Sequence, residues 1–184
     1  YQKAFQLYRR AANQGYSDAQ FNLGVYYDNG QGVEQDYQKA VQWYTKAANQ
    51  GNALAQFNLG FCYDNGQGVE QDYQKAVQWY TKAANQGNAL AEYNLGVCYD
   101  NGQGVEQDYQ KAFQLYRRAA NQGYSDAQFN LGVCYQSGQG VKQDFKKAIE
   151  WYDKAAQQKS PKAIQALEQI EKDIQDFKSL RKNL

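Results

Sequence analysis

The sequence predicts an all-α fold built as a tandem array of helix-turn-helix units, and three observations carry the prediction. The tripeptide Asn-Leu-Gly recurs at Asn22, Asn58, Asn94 and Asn130, a period of 36 in a chain of 184 residues. A fixed period of that length marks a repeat architecture rather than one or two compact domains. Within each period apolar residues return at three- and four-residue spacing, as amphipathic helices require. Two glycines two residues apart separate the helical segments of every unit, where positive φ permits a tight turn.

Taken in order, residues 1–18 read as the second helix of a truncated repeat, so more repeats are expected upstream. Repeats follow at 19–54, 55–90, 91–126 and 127–162, and 163–184 forms a C-terminal capping helix. In the second repeat, Ala55, Leu59, Cys62 and Tyr63 share one face of a first helix, helix A. Asn65-Gly66-Gln67-Gly68-Val69 is the loop, with Val69 placed to plug the gap between helices. Asp72 is the expected N-cap of helix B, and Gly87 its C′ residue. Ala76, Trp79, Tyr80, Ala83 and Ala84 form the buried stripe of that helix, and the alanine pair admits a close neighbour. Asp36, Asp108 and Asp144 are the equivalent caps. Ser160-Pro161 starts the last helix, with proline at the first helical position. Its stripe of Ile164, Leu167, Ile170, Ile174, Phe177 and Leu180 is expected to hide the apolar face of the last repeat.

Repeats one and two agree at 34 of 36 positions, and Tyr1 to Asp18 is identical to Tyr109 to Asp126 three periods later. Block duplication of several repeats explains both matches. Cys62, Cys98 and Cys134 fall one per repeat. Equivalent residues in stacked repeats lie roughly 10 Å apart, whereas a disulfide needs Cα atoms within about 7 Å, so three free thiols are expected. Tyr26 occupies the same slot in the first repeat, which suits a packed position.

Composition narrows the function. Histidine is absent, which removes catalytic triads, imidazole bases and histidine-containing metal sites, and neither cofactor nor metal is expected. Every candidate carboxylate for such chemistry recurs from repeat to repeat with no partner that differs between repeats, so paired acid-base chemistry is not expected. Twenty Lys and Arg against nineteen Asp and Glu leave a charge of +1 with no polybasic run, so nucleic acid is not an expected partner. No run approaches the ~18 apolar residues of a membrane span. The Gly-Gln-Gly loops follow no strand and precede no Gly-Lys-Ser, unlike a phosphate-binding loop. Methionine is absent, so the compartment is not readable from the first residue.

The unit resembles the Sel1-like repeat, a relative of the tetratricopeptide repeat. The resemblance runs through Ala55, Leu59, Gly60, Tyr63, Gly66, Gly68, Val69, Asp72, Ala76, Trp79, Tyr80, Lys82, Ala83, Ala84 and Gly87, and extends from Tyr1 to about Lys162. Leu115 replaces the tryptophan in the third repeat, and Lys159-Ser160 replaces the glycine after the fourth helix B. The resemblance implies a right-handed α-solenoid used as a non-enzymatic adaptor between proteins. Bacterial members are often exported, which implies that compartment without excluding the cytoplasm that free thiols suit equally.

In related solenoids helix A lines the concave face. The partner-binding residues then expected are Phe21, Asn22 and Asp28, with Phe57, Asn58, Phe61 and Asp64, Tyr93, Asn94 and Asp100, and Phe129 and Asn130. A mid-helix asparagine is a mediocre helix former. Its amide both donates and accepts, so the series reads as a ladder gripping an extended peptide, with the aromatics supplying apolar contact. The alternative is that each asparagine bonds a neighbouring helix and each aromatic packs between repeats. The acids at 28, 64 and 100 would select a basic ligand, or else cap a solvated helix end.

The expected partner is a protein or peptide. The rival is an inhibitor of one toxin or enzyme, using the unique surface around Gln136, Ser137, Lys142 and Phe177. An apolar end at Tyr1 to Leu7 suggests end-to-end self-association.

Overall fold

A computed structural model of the protein describes residues 1–182, and among these it contains ten α-helices and no strand. They fall into two compact units. The first, Tyr1–Gln107, holds α1 (Gln2–Asn13), α2 (Ser17–Asn29), α3 (Tyr37–Asn49), α4 (Ala53–Asn65), α5 (Tyr73–Asn85) and α6 (Ala89–Asn101). The second begins at Asp108 and holds α7 (Tyr109–Asn121), α8 (Ser125–Ser137), α9 (Phe145–Gln157) and α10 (Pro161–Lys182). Helices A are α2, α4, α6 and α8; helices B are α1, α3, α5, α7 and α9.

Local chemistry sets the boundaries. Asp36, Asp72, Asp108 and Asp144 cap helices α3, α5, α7 and α9, accepting from the backbone N–H of Lys39, Lys75, Lys111 and Lys147. The same lysines close ion pairs of 2.8 to 3.4 Å with the caps. Those contacts hold all four cap carboxyls below their usual range. Asn52 and Asn88 cap α4 and α6 in the same way. Each helix A stops at a left-handed glycine, and a loop glutamine closes the exposed carbonyl end: Gln71 donates to the Asp64 carbonyl at 2.7 Å.

Helix B of one repeat and helix A of the next share a core. Ala40, Val41, Tyr44, Ala47 and Ala48 of α3 pack with Ala55, Leu59 and Cys62 of α4, flanked by Tyr63, Val69 and Trp79. The Asn-Leu-Gly motif now has a physical basis. Leu59 is buried, and a Cβ on Gly60 would stand 2.7 Å from the Tyr80 ring. The glycine lets helix B of the same repeat approach. Cys62, Cys98 and Cys134 are free and buried, and burial pushes the Cys62 and Cys98 thiols up to about 12. Cys62 and Cys98 pack as apolar groups rather than as thiolates.

A second tie was not anticipated from sequence. Buried Gln20, Gln56 and Gln128 donate to the Ala12, Ala48 and Ala120 carbonyls of the preceding helix B. They accept from Gln50, Gln86 and Gln158 at 2.7 to 2.8 Å. These amides bind repeat to repeat without charge. The third repeat places Glu92, 1% exposed, in the same slot.

The capping helix covers the last repeat with only part of its stripe. Ala163 is buried, and Leu167 and Ile170 pack on Ala148, Tyr152 and Ala155, while Ile164, Ile174 and Phe177 are exposed. The reason is length: α9 has 13 residues and α10 has 22, so at about 1.5 Å per residue α10 outruns its support. Leu180 lies outside the residues whose side chains are described.

Where the equivalent repeats use Gly51, Gly87 and Gly123 at positive φ, the fourth has Lys159 at φ 63. An L-residue held there is strained by about 1–2 kcal/mol. Lys159→Gly is therefore expected to stabilise the protein by about 1 kcal/mol, read as a higher midpoint of thermal unfolding. An unchanged midpoint would show that Lys159 carries no strain.

Candidate functional site

The candidate surface is the outer face of the A helices, and their N-terminal caps and inward Leu-Gly pairs determine which side chains remain outside. In the first unit Asn22 donates to the Asp18 carbonyl at 2.7 Å and Asn94 to the Leu90 carbonyl at 2.8 Å, each within its own helix. Asn58 instead approaches the Tyr44 hydroxyl of the preceding repeat. Each amide still has a second N–H and a carbonyl oxygen to offer. Asn130, in the second unit, is half-buried on α8.

The aromatic series leans inward. Phe21 sits 6.1 Å from the Tyr44 ring, Phe57 5.9 Å from Tyr80, and Phe129 5.6 Å from Tyr152, all tilted. Tyr93 is half-buried on α6. Phe61, which replaces the valine of the other repeats, is 43% exposed, with its ring 6.5 Å from Phe57.

The acidic series is tied into the fold. The Tyr44 hydroxyl donates to Asp28 at 3.2 Å and the Tyr80 hydroxyl to Asp64 at 3.1 Å. Gln67 of the next loop adds a bond to the other Asp28 oxygen at 3.0 Å. Burial raises both carboxyls above their ordinary value, and the tyrosine bonds lower them only in part. Asp100 holds the same half-buried position on α6.

Two features escaped the sequence reading. Leu54 and Leu90, the second residues of α4 and α6, are exposed at 51% and 38% and extend the apolar face beyond Phe61. Their signal was present, because the other A helices begin Ser-Asp at the positions where these begin Ala-Leu. The charges are also segregated. Helices α2, α4 and α6 contain acids and no Lys or Arg, whereas α1 contains Lys and Arg, α3 and α5 contain Lys, and none of the three contains an acid. A net charge near zero conceals that division.

At the far end of the second unit, Gln136, Phe145, Ile149, Ile170, Ile174 and Phe177 line an open apolar groove of about 1040 Å³. Lys142 and Ser137 are exposed nearby in sequence. No helix among the described residues is long and apolar enough to cross a membrane.

Paired helices in a fixed period, sharing cores across repeat boundaries and carrying a face of amides and aromatics, define a helical-repeat scaffold. The chain belongs to the Sel1 repeat family, whose model matches residues 1–16, 17–52, 53–88, 89–124 and 125–160. It is similar to the crystal structure of a protective antigen of uropathogenic Escherichia coli with an SLR fold, at 40% identity and TM-score 0.86. That match covers 89% of this chain and 35% of the antigen, so the chain spans about a third of that protein's length. A Sel1 repeat protein from Oxalobacter formigenes is 38% identical, with TM-score 0.85, over 92% of this chain and 69% of that one. An immunity protein from Pseudomonas aeruginosa is 26% identical, with TM-score 0.57, over 86% of this chain and 58% of that one. No curated protein sequence matches the chain. Sel1 repeat proteins are generally non-enzymatic scaffolds.

Proposed function

We propose that the protein is a non-enzymatic scaffold that binds a protein or peptide through the outer face of its A helices, the concave face of related solenoids. The observation that carries this reading is the exposed apolar row of Leu54, Phe61 and Leu90 among amides that retain unused donors and acceptors. Large apolar side chains left in water beside polar groups mark interaction surfaces.

Site-specific photo-crosslinking tests it. A benzoylphenylalanine at position 61 is expected to capture one defined protein from a bacterial lysate, identified by mass spectrometry. Capture should be lost when Asn22, Asn58 and Asn94 are changed to alanine in a chain whose circular dichroism is unchanged. The same probe at exposed Gln42 on α3 should capture nothing. Equal capture from position 42, or none from position 61, would overturn the proposal.

A second reading, neutralisation of one toxin or enzyme, draws support from the apolar groove at Phe177 and from the similarity to an immunity protein. The probe at position 177 separates the two, because that reading requires capture there and not at position 61.

A further inference from the structure

Gln136 shows what the fold asks of the position shared by Asp28 and Asp64. In the second unit its neutral amide accepts the Tyr152 hydroxyl at 2.5 Å. The tie between helices A and B therefore needs an acceptor and not a charge. In the first unit the same tie is made by a carboxylate at each of Asp28 and Asp64. Those charges are badly placed for the fold alone. They stand in the last turn of a helix, where the macrodipole is already negative, and they are half-buried, so burial holds both carboxyls above their usual range.

Nothing in the first unit neutralises them. No ion pair among the described residues joins a lysine or arginine to Asp28 or Asp64, and the A helices of that unit contain no basic residue at all. The carboxylate of Asp64 accepts from Tyr80 through Oδ2, and its Oδ1 accepts no hydrogen bond among the described residues. One turn earlier on α4 stands the exposed ring of Phe61. An aromatic ring beside an open carboxylate suits a long cationic side chain, whose stem lies on the ring while its head meets the acid.

We infer that the first unit binds a basic amphipathic peptide segment, its lysine or arginine heads on Asp64 and Asp28 and its apolar residues over Phe61, Leu54 and Leu90. This rests on the reading above that the A-helix face is the binding surface. Lysine and arginine stems cover apolar surface as readily as leucine does, so one face satisfies both demands. The absence of any base on the A helices also disfavours acidic partners, and like-charge exclusion is how such a surface selects.

Fluorescence anisotropy with two labelled peptides of equal length, one of leucine and lysine and one of leucine and glutamate, tests the inference on the full chain. The lysine peptide is expected to bind, more weakly as salt rises, and the glutamate peptide is not. In Asp28→Asn/Asp64→Asn each amide keeps an acceptor for its tyrosine, as Gln136 does, and the Gln67 amide that donates to Asp28 can turn over to accept from the new N–H, so the fold should persist by circular dichroism. Its affinity for the lysine peptide should fall about tenfold or more. Equal binding of both peptides, or unchanged affinity in the double variant, would overturn the inference. If neither peptide binds while position 61 still captures a partner, the inference fails and the binding-surface reading stands. If position 61 captures nothing either, both fail.

Discussion

Gly68→Ala is expected to destabilise the first unit by about 3 kcal/mol or more, far beyond an alanine at Gly66 two residues earlier in the same loop. Both glycines sit at positive φ, 69° at Gly66 and 72° at Gly68. Each alanine therefore incurs a left-handed strain of about 1–2 kcal/mol. Their surroundings differ. A Cβ on Gly66 would meet the Gln71 side chain at 3.4 Å, an ordinary contact. A Cβ on Gly68 would fall 2.5 Å from the Tyr37 carbonyl carbon and 3.0 Å from Gln38 N, at the start of helix B of the preceding repeat. Backbone at a helix start cannot rotate aside as a side chain can. Relief therefore requires the repeats to separate, and in a repeat array that interface is much of the stability. Urea unfolding of the two variants measures the difference. Equal midpoints would show that the loop yields and that Gly68 serves only its own turn.

That pair of glycines shows where sequence reading succeeds and where it stops. The two-glycine loop, the aspartate caps and the buried stripes were legible because each follows from local geometry and a fixed period. Gly66 and Gly68 look alike in sequence, since both answer a demand for positive φ. Only the approach of the neighbouring repeat separates them. The glutamine ties of Gln20, Gln56 and Gln128 escaped for the same reason, because a polar residue on a helix reads as solvent-facing until a carbonyl from another repeat is brought to it. The candidate face was legible in part. Helix A and its Asn and Phe series could be placed, but the inward lean of Phe21 and Phe57 depends on Tyr44 and Tyr80 across the repeat.

The inferred cation-binding role of the acids at positions 28 and 64 would tie function to stability. Burial raises their folded-state values above the ordinary 3.8. The folded state therefore holds these protons more tightly than the unfolded chain does. Sign follows directly: their effect on stability is absent well below pH 3.8, and it becomes unfavourable as pH rises through the raised values. At neutral pH the full penalty stands, so the double asparagine variant should unfold no earlier than the wild type while binding cations less well. A surface that tolerates such a penalty is typical of sites retained for function.

Tyr80→Ala should be among the most damaging single changes in the first unit's core, lowering stability by about 3–5 kcal/mol. The ring is fully buried, lies against the bare backbone of Gly60 and faces Phe57 at 5.9 Å. Removing it leaves a cavity that a glycine on one side cannot fill. Tyr80→Phe isolates the hydroxyl. The ring stays, Asp64 loses its donor, and because Asp64 is only half-buried water can replace the lost bond, so the expected effect is about 1 kcal/mol or less. The ratio of the two effects in urea unfolding distinguishes a ring that holds the helices apart at a set distance from a hydroxyl that pins them together. A loss from phenylalanine as large as that from alanine would mean that the hydroxyl-carboxylate tie, and not the ring, holds the two helices. The carboxylates would then be structural, and the case for reading Asp64 as a charge held open for a partner would fall with them.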